Sequence, residues 1–132
     1  MAQIERYKPE GIAPPSGVWS PVVVVKNPGN LVFLSGFTSR DKDGNVFGVG
    51  DIKAQTRRVC ELLKTCMESA GGTLADIVRV DVYVRDIKQF AAIHEVRREF
   101  FQNGGPTSTM VEVSSMVDER SLIEINAIAV IP

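Results

Sequence analysis

Val78-Arg79-Val80-Asp81-Val82-Tyr83-Val84-Arg85 alternates valine with a polar or aromatic residue over its whole length. A β-strand turns successive side chains to opposite faces, so this stretch predicts a strand with one buried face and one wet or partnered face. Upstream of it, Ile52, Val59, Leu62, Leu63, Cys66, Met67 and Ala70 recur at helical spacing. Asp51 stands where it can cap that helix, and Gly71-Gly72 ends it. Downstream, Phe90, Ile93, Val96 (or Arg97) and Phe100 form the stripe of a second helix from about Lys88 to Phe101, which Gly104-Gly105-Pro106 terminates.

The flanks read as further strands. Trp19 to Lys26 is valine-rich, Asn27-Pro28-Gly29-Asn30 is a turn signal, and Leu31 to Leu34 reads as a returning strand, so the two segments predict a hairpin. Asp41 to Gly50 reads as a loop crossing a short strand at Asn45 to Phe47. Ser108 to Val113 and Leu122 to Val130 are the last two strands. Residues 1–17, rich in proline and glycine from Pro9 on, read as an irregular lead-in. The expectation is an α+β fold: a single, mostly antiparallel or mixed sheet with two helices on one face. Two helices cover only one face, so a partner subunit is a natural cover for the other.

At 132 residues the chain fits one domain, spanning 1–132. A net charge of −1, with lysine and arginine scattered, gives no bulk attraction to nucleic acid or an anionic membrane. No apolar run approaches the roughly 20 residues of a membrane helix, and Met1 to Gly11 has no signal-peptide core, so the expected location is the cytoplasm. Cys60 and Cys66 fall on different sides of one helix, about 240° apart, so no disulfide between them is expected. No His or Cys grouping has metal-ligand spacing.

Several segments, in order, resemble the Rid (YjgF/RidA, L-PSP endoribonuclease-like) family. They are Leu31-Val32-Phe33-Leu34-Ser35-Gly36, then Asp51-Ile52-Lys53-Ala54-Gln55-Thr56-Arg57, then Phe90-Ala91-Ala92-Ile93-His94-Glu95-Val96 with Phe100-Phe101. Pro106 with Val111-Glu112-Val113, and Ile123-Glu124-Ile125-Asn126-Ala127-Ile128-Ala129, complete the set. The resemblance implies a chorismate-mutase-like fold and a homotrimer with a barrel-like core and small-metabolite clefts between subunits. It implies cofactor-free hydrolysis of an enamine or imine to the oxo compound and ammonia. A non-catalytic metabolite-binding trimer is the alternative, and ribonuclease activity, also described in the family, is the lesser reading.

Imine hydrolysis needs a placed water, a group that moves protons and, for an acid substrate, a partner for its carboxylate. By resemblance Glu124 positions the water; from spacing alone it reads equally as an interfacial hydrogen-bonding anchor. The family's deaminases carry an arginine in a "P-x-R-[ST]-x-V-E-V" motif, and here Ser108 stands in its place. That departure points away from the usual small 2-imino acids. Arg120 is the candidate substitute, against the reading of a solvated loop arginine. Trp19 matches the place of a cleft aromatic, Ser35 and Gly36 shape the pocket through backbone groups, and Phe37 is an apolar replacement beside them. His94, the only histidine, would titrate near neutral pH if it faced an interface.

Overall fold

The computed structural model describes residues 3–102 and 104–132. Strand β4 (Ile77–Val84) realises the alternating stretch: Val80, Val82 and Val84 are buried, while Arg79, Asp81 and Tyr83 face the other way. Helix α1 (Ile52–Ser69) begins where Asp51 accepts the Ala54 N–H at 3.0 Å, and Gly71 leaves it with φ of 90°. A 3₁₀ turn, Ile87–Gln89, capped by Asp86, leads into α2 (Phe90–Phe100). Cys60 is buried and Cys66 half-buried, both as free thiols.

Four strands form the main sheet. β6 (Ile123–Ile131) is central, flanked by β3 (Asn30–Thr38) and β4, both antiparallel to it. β5 (Thr107–Glu112) runs parallel to β4 at the edge. Both helices lie on one face. There Ile123, Ile125, Ala127 and Ala129 of β6 meet Val59, Leu63 and Met67 of α1 and Ile93 of α2 in one core. Each fully buried aliphatic side chain is worth roughly 1.5–3 kcal/mol relative to exposure, so this layer dominates the cohesion of the chain.

The predicted hairpin is not formed. β2 (Val22–Lys26) pairs instead with β1 (Gln3–Tyr7), a strand inside the segment expected to be irregular, and the two make a separate antiparallel ribbon. Asn27, at φ of 50°, turns the chain after β2, and β3 then takes the edge of β6. The apolar run correctly marks β2 as a strand, but its partner is chosen by tertiary contacts. Arg6 pins the ribbon, donating to Gly105 O and Ala75 O at 3.0 Å each. The expected short strand at Asn45 to Phe47 reduces to one bridge, Arg40 to Val46.

The sheet face away from the helices is open. Leu31 and Phe33 lie there 61% and 70% exposed, and Val111 is also exposed. Among the described residues no helix is long and apolar enough to cross a membrane.

Candidate functional site

Strand alternation turns Ile123 and Ile125 into the core, so Glu124 and Asn126 must face the open side. Tyr83 is the register partner of Glu124 on β4, and Asp81 that of Asn126. Asn126 Oδ1 accepts the Asp81 N–H at 3.2 Å. On the other side of Glu124, β3 carries one extra residue between Leu34 and Phe37, a β-bulge. Gly36 sits in that bulge, against the Glu124 carboxylate; a Cβ there would collide with Glu124 Oε2. A larger residue here would displace the carboxylate rather than the backbone, so this glycine lets Glu124 keep its place.

These residues open onto a cavity of about 570 Å³ lined by Gly36, Tyr83, Val113, Met116, Glu124 and Asn126, with Ser115 and Val117 at its rim. The side-chain hydrogen bonds and ion pairs among the described residues leave the Glu124 carboxylate unengaged. It is half-buried, so it can hold water and accept a proton from it. Gln55, fully buried in α1, fixes the chain just before β6: it donates to Arg120 O at 3.0 Å and accepts the Leu122 N–H at 2.8 Å. The segment motif that contains Gln55 thus sets where Glu124 enters the sheet.

The other expected site residues fall elsewhere. Phe37 does not line this cavity; the bulge puts it opposite Ile125, and it packs against the core. Arg120 is held in its loop, donating to both oxygens of Asp118 at 3.0 and 2.8 Å, and this pairing holds the Asp118 carboxyl well below the usual carboxylate range. Ser35 is exposed in the bulge beside Gly36. Glu112 accepts the Ile87 N–H at 3.1 Å and serves the fold.

Trp19 and Ser108 come together in a second cavity of about 340 Å³ at the β5 edge, with Ser20, Pro21, Arg79, Val80, Thr107 and Thr109. Ser20 holds the Trp19 segment there, donating its N–H to Pro106 O at 3.0 Å and its hydroxyl to Gly105 O at 2.8 Å. Ser108 pairs with core-facing Val80, so its side chain points toward the helices, on the opposite sheet face from Glu124. One chain therefore carries two separate cavities, one reached from the Glu124 side of the sheet and one at the Ser108 edge.

His94 lies nearby, 2% exposed, its ring against Gly17 and 4.1 Å from that of Phe90. Burial, reinforced by the Arg97 and Arg98 charges, pushes its pKa down to about 4. It is neutral at physiological pH: the ring is enclosed by its own chain, so the condition attached to titration near neutrality, that it face an interface, is not met within this chain. Sequence reasoning did not single out Tyr83 or Arg97. Tyr83 was legible only as a polar-face position of β4, and Arg97 only as an alternative member of the α2 stripe.

The comparisons agree with this architecture. The Endoribonuclease L-PSP family model matches residues 11–131. A RutC family protein of Pyrococcus abyssi is 40% identical over 115 residues, 87% of each chain. The 3-aminoacrylate deaminase RutC of Acinetobacter baylyi is 36% identical over 121 residues, covering 92% of this chain and 93% of that one. Among solved structures, the Rid-family protein YyfB of Yersinia pestis, of unknown function, superposes with a TM-score of 0.89 at 27% identity, covering 97% of this chain and 98% of that one. With two helices on a mixed sheet, the ordered motifs in place and a family model spanning nearly its whole length, the chain belongs to the Rid (YjgF/RidA) family.

Proposed function

We propose that the protein is a cofactor-free hydrolase that deaminates a small enamine or imine acid in clefts completed between copies of the chain. The observation that carries this reading is the Glu124 carboxylate, half-buried, unengaged and facing a cavity with Gly36 against it. The similarity to a 3-aminoacrylate deaminase supports the reaction class.

For an enamine acid, carbon first takes a proton as nitrogen gives one up, and the enamine becomes an imine. Glu124 orients water toward the imine carbon and accepts its proton as the C–O bond forms. That proton passes to nitrogen to give the carbinolamine; the hydroxyl proton then moves to nitrogen as the C–N bond breaks and the C=O bond forms, and ammonia leaves the oxo acid. A general base of this kind contributes about 10²–10⁴-fold. The separation of Glu124 from Ser108 across the sheet, and the exposed Leu31 and Phe33, support a homotrimer in which one subunit's Glu124 side meets another's Trp19–Ser108 side.

The test is ammonia release from 3-aminoacrylate and from 2-aminoacrylate. Glu124→Gln is expected to lose at least about 100-fold in kcat with its melting temperature unchanged. Unchanged turnover in that variant removes Glu124 from the mechanism. A native protein that releases no ammonia from either acid instead favours the non-catalytic binding trimer.

A further inference from the structure

Arg97 is the largest fully buried side chain among the described residues, 1% exposed, and it projects from α2 under the edge of the sheet. Its guanidinium makes one hydrogen bond among the described residues: Nη2 donates to Ser108 Oγ at 3.1 Å. Nε is buried without a partner. Among the described residues the ion pairs are formed by other arginines and lysines, and no carboxylate answers this charge. Burial pulls its pKa down to about 10, so it stays charged at neutral pH. The nearby Cys60 thiol is pushed up to about 12 by burial and stays neutral, so it supplies no counter-charge. His94, one turn earlier on the same buried face, is neutral as well, and its Nδ1 is also unpartnered.

An unanswered buried charge is costly, and proteins keep one only where something pairs with it. Ser108 is where this charge meets solvent-accessible space, since it lines the cavity beside Trp19. A serine hydroxyl has one proton to donate and lone pairs to accept with. Arg97 occupies an acceptor position, so the hydroxyl proton is free to turn toward the cavity.

We propose that Arg97 and Ser108 form an anion-binding relay, in which the buried guanidinium orients and polarises the Ser108 hydroxyl to donate to the carboxylate of a small planar acid seated beside Trp19. The positive charge missing from position 108 is thereby supplied from the helix behind it. Arg97 is a positioning residue, acting through Ser108, and it selects acids over neutral analogues. The inference deepens the hydrolase reading and rests on it for the substrate being an acid, but its test does not depend on turnover.

The probes are pyruvate and its neutral methyl ester, with binding followed by calorimetry and by the ring resonances of His94. The native protein is expected to prefer pyruvate by at least roughly tenfold, the scale of a charge-assisted hydrogen bond. Equal affinities overturn the relay. Arg97→Met is expected to erase the preference and to raise KM for an enamine acid roughly 10- to 100-fold, with a smaller change in kcat. A preserved preference in a folded Arg97→Met protein overturns it. Should that variant not fold, Ser108→Ala leaves the core intact and removes the donor. It is expected to weaken pyruvate and not the ester, and unaltered pyruvate binding rejects the relay. Glu124→Gln separates the two ideas. Lost turnover with intact acid preference supports both, whereas normal turnover removes Glu124 from the mechanism and leaves the relay to the binding data.

Discussion

The two faces of the sheet obey different rules. On the helix-covered face, Val80, Val82, Val84, Ile123, Ile125 and Ala129 are buried against two helices, and all six are apolar. On the open face, exposed Leu31 and Phe33 stand beside Glu124, Tyr83 and Asn126, so apolar area and chemistry share one surface. The first arrangement is what a chain needs to fold. The second makes sense for a surface that meets another copy of the chain while keeping a pocket. Arg97 and Ser108 break the pattern in the opposite sense, since they set a charge at the edge of the covered side.

The sharpest way to break the comparison is one substitution on each face. Val82→Asp puts a carboxylate into the packed layer and is expected to cost several kcal/mol, a large part of the roughly 5–15 kcal/mol that holds a domain together. Circular dichroism should find it unfolded or nearly so. Phe33→Asp faces outward and is expected to leave secondary structure intact while reducing the proposed trimer of 14.4 kDa chains to a monomer by light scattering. A Phe33→Asp protein that stays trimeric would show that the open face is not the interface.

Gly36→Ala tests the pocket. The added methyl must displace the Glu124 carboxylate, so ammonia release should fall at least about tenfold while stability shifts by about 1 kcal/mol or less. Activity equal to native would mean that the position of Glu124 does not matter.

His94 probes the edge of the covered side by pH. Its pKa in the folded protein, about 4, lies below the ordinary value of 6.5. The unfolded chain therefore binds a proton that the folded chain refuses. The associated stability is present above pH 6.5 and is lost as pH falls toward 4, by at most about 3 kcal/mol. His94→Gln should flatten urea-denaturation stability across that window; an unchanged slope would show that another group governs it. The smallest effect concerns the cover itself. Asp51→Ala removes the cap of α1 and should cost about 1 kcal/mol, read as a lower denaturation midpoint with kcat unaltered.

Much of the covered face was legible in the sequence because two periodicities, two for strands and 3.6 for helices, come directly from backbone geometry. Pairing was less so. The valines of β2 announce a strand but not that its neighbour is β1, whose Gln3-Ile4-Glu5-Arg6-Tyr7 looks polar because both strands sit in a ribbon outside the main core. Glu124 and Gly36 were singled out by the family resemblance; from spacing alone Glu124 read equally as an interfacial anchor. Phe37 was misplaced because an extra residue in a strand leaves no mark in composition. Arg97 was ambiguous because a helical stripe tolerates a long side chain at its border, and only the packed structure says that this one is inside.

The bulge in β3 has a consequence for insertions and deletions. Phe37 faces Ile125 on one side of the irregularity and Leu34 faces Ala127 on the other, so removing one residue between them would restore an unbroken ladder with both side chains still in the core. The fold itself does not need that extra residue. What it supplies is slack in the backbone opposite a carboxylate, so a shortened chain is expected to be well formed and chemically silent.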